Sequence, residues 1–234
     1  MGRRIIHRFL IAAMAICFVF PAISVAQPSG KRGTDVFGLD PLLYNGRYYS
    51  YFPAAGTIGT PYLENSDFVE GTVTVRGVQF AGLSLNYDVY NQQLVLKYKD
   101  AIGAVSLIII SDAWLEGFSL GDMVFRVLQT SDTSKRIFRV TGSGPYYIME
   151  YNSKTIALDN QMSARNYRFS NIKTARYLQT EAGLNPFTGN KSYLSLFIAE
   201  KQMLIRRYLR ENRVRLRKCN DRELLGLINF CNKL

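Results

Sequence analysis

The sequence predicts a mainly β protein of the α+β class: a rolled antiparallel sheet, a sandwich or a partial barrel, with a small helical cap at its C-terminus. Three observations predict it. Short apolar alternations with turn residues between them recur from Arg47 to about Thr180, which is the pattern of an antiparallel sheet. No interval in that stretch carries the helical period that a parallel α/β crossover would need. After residue 190 the period changes to that of amphipathic helices. The 234 residues carry 15 Tyr and 14 Phe against one Trp, 18 Gly, 7 Pro and 3 Cys. This composition excludes a disordered chain, a collagen-like chain and a disulfide scaffold.

The first element is an export signal over residues 1–26. Arg3, Arg4 and Arg8 precede twelve residues, Phe9 to Phe20, without a charge. Pro21 ends the run, and Ser24-Val25-Ala26 supplies small residues ahead of Gln27. Basic start, apolar middle and small-residue exit define a secretory signal. The run is short of the roughly 20 residues that span a bilayer. No later stretch spans either, so the exported chain is expected not to be an integral membrane protein. Cleavage removes three basic residues and no acid, lowering the net charge from +11 to +8, and it removes His7, the single histidine. A chain without imidazole cannot run Ser-His-Asp or Cys-His nucleophilic catalysis, nor hold His-ligated zinc or iron. No cofactor or metal is implied.

Residues 27–46 read as a leader, polar and flexible from Gln27 to Thr34. The β-rich body is expected over residues 47–190. Tyr48, Tyr49, Tyr51 and Phe52 open it as an aromatic cluster. Val73 and Val75 alternate with Thr72 and Thr74, and Gly77 marks a turn. Val78 and Phe80 then share one parity, whereas Leu83, Leu85, Tyr87 and Val89 share the other. The switch at Ala81-Gly82 predicts a β-bulge, which re-aims the side chains that follow. Asn91-Gln92 turns the chain into Leu94, Leu96 and Tyr98. Val105 to Ile110 is apolar on both parities, as in a strand covered on both faces. Gly121-Asp122 is a turn before Met123–Leu128. Further strands are expected at Arg136–Val140, Tyr146–Tyr151, Thr155–Leu158, Arg165–Phe169 and Thr174–Gln179. Asn185-Pro186 and Gly189-Asn190 read as a break.

The helical cap is expected over residues 191–234. Ser192–Leu196 suits one helical turn. Between Ile198 and Glu211, Leu204, Ile205, Tyr208 and Leu209 recur at helical spacing. Arg213 to Arg217 alternates and reads as extended. Asn220 and Glu223 form a capping box, and Leu224, Leu227, Ile228 and Cys231 line one face of a last helix. That helix would hold Cys219 and Cys231 about 18 Å apart, beyond the roughly 7 Å a disulfide allows. Cys219, beside Lys218, reads as the more reactive thiol. Cys231 reads as a buried small hydrophobe.

These residues carry a resemblance. Gly59-Thr60-Pro61-Tyr62-Leu63, Gly71-Thr72-Val73, Leu85-Asn86-Tyr87-Asp88-Val89-Tyr90, Gln93-Leu94-Val95 and Lys191-Ser192-Tyr193-Leu194, followed by the basic helix, resemble a family of exported, functionally uncharacterised proteins of Gram-negative bacteria. The resemblance implies export, a β-rich body and a helical C-terminal tail, and it supplies no catalytic residue.

Three sets of candidate residues follow. Lys201 to Lys218 holds eight basic residues and one acid, Glu211. Within it Arg206, Arg207, Arg210, Arg213, Arg215 and Arg217 are candidate ligands for an anion, because guanidinium forks match phosphate and carboxylate oxygens. A solvated face that keeps the protein soluble is the plainer reading of the same run. Tyr48 and Tyr49, like Tyr146-Tyr147, combine an apolar ring with a hydroxyl and could stack on sugars or anchor a partner; cross-strand packing is the plainer reading. Asp88, Asp112, Glu116, Asp122 and Glu150 could supply a carboxylate pair, the common hydrolytic design that needs neither histidine nor metal. The expected function is therefore that of an exported, non-enzymatic binding or structural protein of the bacterial cell envelope, periplasmic or cell-surface associated. Its partner would be an envelope protein, an acidic glycan or a lipid head group, with no specific nucleic acid. A carboxylate-pair glycoside hydrolase is the alternative.

Overall fold

The structure is a computed structural model that describes residues 31–32 (backbone only), 40–44, 47–99, 103–129, 134–159 and 166–234. The export signal expected over residues 1–26 lies outside the described residues. The strands are β1 Lys31–Arg32, β2 Val69–Val75, β3 Val78–Asp88, β4 Gln93–Lys99, β5 Val105–Ile109, β6 Leu115–Leu120, β7 Met123–Gln129, β8 Lys135–Thr141, β9 Tyr147–Ser153, β10 Ile156–Asp159, β11 Asn166–Phe169, β12 Lys173–Thr180 and β13 Gly183–Phe187. Three helices follow: α1 Asn190–Leu194, α2 Ala199–Glu211 and α3 Asp221–Cys231.

The main sheet runs β13-β12-β9-β8-β7-β6-β2-β3-β4-β5, antiparallel throughout, with β1 added parallel to β3. β10 and β11 form a separate hairpin. The path is open, with β13 and β5 as its ends. It nevertheless rolls. One apolar core joins Val73 and Val75 of β2, Leu85 and Tyr87 of β3, Leu96 of β4, Phe118 of β6, Phe125 of β7 and Ile137 of β8. The Tyr87 ring meets Phe118 and Phe125 edge-on at 5.7 and 5.6 Å, and those two rings stack at 4.5 Å. Side chains so far apart along the strand path share a core only if the sheet curls over them. Two polar contacts hold the curl: Gln92, in the β3–β4 turn, donates to the Asn152 carbonyl of β9 at 3.0 Å, and Lys154 donates to the Thr60 carbonyl at 3.0 Å.

The expected bulge is present. Gly71 pairs with Leu83 and Val73 with Phe80, so Ala81 and Gly82 together face Thr72. Gly82 has φ +68°, a conformation that glycine adopts without a Cβ clash. The following residues Leu83, Leu85, Tyr87 and Val89 are buried.

Four expectations about the body change. Residues 47–68 form no strand; they lie along the sheet as a loop that touches it by single bridges, Tyr48 to Ile108 and Tyr62 to Asp88. Lys31–Arg32, expected in a flexible leader, pair with Phe80-Ala81. The Val105–Ile110 run is covered at only one end. Ile108, Ile109 and Ile110 are buried while Val105 is 55% exposed, because β5 ends the path and residues 47–49 shield just its second half. Gly183–Phe187, read as a break, is the edge strand β13. Proline is admissible there because an edge strand leaves one side of its backbone without a pairing demand.

The helices cap the β8-β9-β12-β13 end. Ile148 of β9, Leu178 of β12 and Phe187 of β13 share a second core with Tyr193, Ile205, Leu209, Leu224, Leu227 and Ile228. The expected stripe on α2 is narrower than its sequence spacing suggests: Ile205 and Leu209 are buried, but Leu204 is 39% exposed. The capping box is made, with the Glu223 amide donating to the Asn220 side chain at 2.9 Å and the Asn220 amide to Glu223 at 3.0 Å.

Candidate functional site

The candidate site sits on the cap, so the rigidity of the cap decides what the site can do. A row of charges crosses the sheet beneath it. Arg139 of β8 pairs in register with Glu150 of β9, and Glu150 with Arg176 of β12. The Arg176 Nε donates to the buried Glu150 carboxylate at 2.7 Å, and Arg139 lies 3.8 Å from it. Both guanidiniums then reach upward. Arg176 donates to the Leu216 carbonyl, and Arg139 pairs with Asp221 in the first turn of α3, where an anion is also favoured by the helix dipole. At the far end of α3 the Asn232 side chain donates to the carbonyls of Ser143 and Tyr146 at 2.7 and 2.9 Å. The cap is bolted to the sheet at both ends of its last helix.

Onto this support the chain places six exposed arginines in an unequal arrangement. α2 ends with a Schellman closure: the Val214 amide donates to the Leu209 carbonyl at 2.9 Å and the Arg213 amide to the Arg210 carbonyl at 3.2 Å. The residue in the left-handed position of that closure is Arg213, with φ +54°. Glycine is usual there, and a side chain costs about 1 kcal/mol or more in that conformation. After the closure, the Asn190 side chain clamps the chain on both sides of Arg215. It donates to the Val214 carbonyl at 3.0 Å and accepts from the Leu216 amide at 2.9 Å. Val214 and Leu216 are thereby buried and Arg215 is turned outward. The expected alternation of Arg213, Arg215 and Arg217 is real, but the segment is not extended throughout. The Lys218 amide donates back to the Arg215 carbonyl at 2.8 Å and closes a turn.

As a result Arg206, Arg210, Arg213 and Arg215 line one open cleft of about 440 Å³, whose apolar lining is Leu194, Leu209 and Val214. Arg217 lines a neighbouring cleft with Gly189, Lys191 and Ser192 instead. Arg207 lines neither. The six arginines are therefore four, one and one. Among the described residues, none of the six forms an ion pair.

The tyrosine candidates separate. Tyr48 is 55% exposed, with its ring 5.6 Å from Tyr44. Tyr49 is buried. Its hydroxyl donates to Asp88 at 2.7 Å. Burial, reinforced by that hydrogen bond, holds its phenol protonated well above the usual range. Neither tyrosine lines the arginine clefts. Tyr146 packs against Phe197 at 5.2 Å and Tyr147 lies under Arg126 at 5.6 Å.

Three of the five carboxylates, Asp88, Glu116 and Glu150, hold fixed partners. Asp88 has no exposed surface and accepts from the Tyr49 hydroxyl, the Asn91 amide at 2.8 Å and the Asn91 side chain at 2.7 Å. Glu150 is held by Arg176 and Arg139. Glu116 accepts from the Gly77 amide at 3.0 Å, and Asp112 and Asp122 are exposed turn residues. Cys219 is buried, and desolvation pushes its thiol up despite the nearby Arg176. Cys231 is buried as expected, with its sulfur 3.4 Å from the Tyr193 hydroxyl.

Two features are missing from the sequence reading. Asn190 reads as part of a break, and nothing in its sequence context marks it as a clamp. The Arg139–Glu150–Arg176 row does leave a signal: each residue has the parity of buried neighbours on its strand, so each is a charge facing inward. Among the described residues no helix is long and apolar enough to cross a membrane. Compared with protein-family models, with curated proteins and with solved structures, the chain matches none of them.

Proposed function

We propose that this is an exported, non-enzymatic binding protein of the bacterial cell envelope, periplasmic or cell-surface associated, whose cap presents arginines to an anionic partner. The observation that carries the reading is the set of four unpaired guanidiniums around one cleft on a scaffold fixed from below. Guanidiniums left without a carboxylate, on a support that cannot collapse around them, are free to take an external anion. Export rests on the basic, apolar and small-residue order of residues 3–26. The non-enzymatic part is supported by the fates of Asp88 and Glu150, the two buried acids among the described residues, each held by fixed donors. An envelope protein, an acidic glycan and a lipid head group all present the required charge.

The test is binding of the purified protein to heparin, a soluble sulfated and carboxylated polyanion, across a salt series, beside a turnover screen on glycans. The expected result is retention that weakens as salt rises, with no glycan cleaved. Turnover abolished by replacing one Asp or Glu in a folded variant would replace this reading with a carboxylate-pair glycoside hydrolase.

A further inference from the structure

Resting on the reading of the cap as an anion-binding surface, we propose that the cleft between α1, the C-terminal half of α2 and the Val214–Leu216 segment is a discrete site for a phosphate group. Three observations on the cleft converge. Arg206 and Arg210 stand one turn apart on α2, and Arg213 and Arg215 face them from the segment that follows. Four forks around one volume suit an anion with three or more acceptor oxygens and a double charge; a carboxylate is filled by a single fork. The backbone that carries Arg213 and Arg215 is set before any ligand arrives, because Asn190 hydrogen-bonds on both sides of Arg215 and the Schellman closure fixes Arg213. Only side-chain freedom of the four arginines is then left to be lost on binding.

The third observation is the identity of residue 213. Its backbone is left-handed at φ +54°, where glycine would serve the fold better. Side chains retained in such conformations concentrate at functional sites, and here the side chain lines the cleft. The chain accepts the less favourable backbone at the position where a guanidinium completes the ring of four. Lys218, exposed like Arg213 and carried by the same stretch of chain, lines neither cleft and serves as the comparison.

The experiment measures binding of the purified protein to two probes: inorganic pyrophosphate in solution, and phosphatidylcholine vesicles with and without phosphatidylglycerol. Each is repeated with Arg213→Gly and Lys218→Ser, which remove one positive charge apiece. Arg213→Gly is expected to melt no lower than the parent, since glycine suits the closure, and to weaken binding about tenfold, as loss of a charged hydrogen-bonding partner does. Lys218→Ser is expected to stay within about twofold, the loss of one screened charge. Dependence on Arg213 with pyrophosphate alone makes the ligand a soluble phosphate, and the same dependence with anionic vesicles makes it a head group; both support the site. Equal losses in the two variants would overturn the site and leave a diffuse basic surface, the broader reading intact. Heparin bound with neither phosphate probe bound would overturn the phosphate class alone. No binding to any of the three would overturn both. Should Arg213→Gly melt lower, Arg210→Gln in the regular helix carries the same test.

Discussion

Asp88 is the most deeply committed polar residue of the body, and its partners explain why Tyr49 is not on the surface. A carboxylate without exposed surface needs hydrogen-bond donors to offset its lost hydration. The Tyr49 hydroxyl supplies one, at 2.7 Å, across 39 residues of chain. Asn91 supplies two more within the turn. Tyr49→Phe keeps the ring and removes the donor. It is expected to destabilise the protein by about 1–3 kcal/mol, the cost of leaving a buried acceptor short of a partner. Denaturant unfolding of the variant checks this, and an unchanged midpoint with an unchanged slope would show that the Tyr49–Asp88 hydrogen bond adds nothing to the hold on the loop of residues 47–63. Cys219 obeys the same balance of burial against partners. Its neighbour in sequence, Lys218, suggests an activated thiolate, but the side chain turns under Arg176 and donates to the Leu216 carbonyl at 3.4 Å. Burial outweighs the adjacent cation.

At the scale of elements, the cap and the sheet are one unit because α3 presses directly onto a glycine. Gly142 has φ +86°, and a Cβ there would come within 2.6 Å of the Ile228 side chain. Gly142→Ala therefore adds backbone strain and a clash in the same place. It is expected to cost about 2–4 kcal/mol, read as a lower melting temperature. A loss below about 1 kcal/mol, the least that such a backbone alone costs, would mean that α3 rides loosely on the sheet. Removing the cap after Gly189 is more severe. It uncovers Ile148, Leu178 and Phe187, each worth roughly 1.5–3 kcal/mol when buried, and takes the Leu216 carbonyl from Arg176. Those losses approach the whole stability of an ordinary domain, so the truncated body is expected to lose cooperative unfolding; an unaltered melting temperature would show it to be independent. The elements themselves are readable in the sequence to different degrees. Parity locates β2, β3 and β4 and even the bulge at Ala81-Gly82, because burial on one face imposes the period of two, whereas β5 shows as a run apolar on both parities. β13 escapes because Pro186 reads as a breaker unless the strand is known to lie at an edge. Residue type alone finds the arginine candidates, but their division into four, one and one depends on the closure at Arg213 and the Asn190 clamp, which are tertiary facts.

For the whole molecule, buried phenols and thiols set the response to alkali. Tyr49, Tyr87 and Tyr193 are buried, and burial is the largest cause holding each well above the ordinary phenol value of 10.0. Burial likewise raises Cys219 and Cys231 above 9.0. For each of these groups the folded state holds the proton more tightly than the unfolded chain does. Between the unfolded and folded values the folded chain carries more bound protons, so stability falls as pH rises. The contribution is complete below about pH 9, declines first through the cysteines, and declines more steeply above about pH 10, where unfolded tyrosines ionise. Lys154 works in the opposite direction, since desolvation lowers it and the folded state favours its neutral form. One lysine against five such acids leaves the sign unchanged. Melting temperature is therefore expected to be flat from neutrality to about pH 9 and to fall progressively beyond it, with ionisation of these three phenols appearing only as the fold is lost. Full ionisation of the tyrosines near pH 10 with the melting temperature unmoved would show that the phenols of Tyr49, Tyr87 and Tyr193 are reached by solvent, and that the rolled sheet is looser around Asp88 and beneath the cap than its hydrogen bonds require.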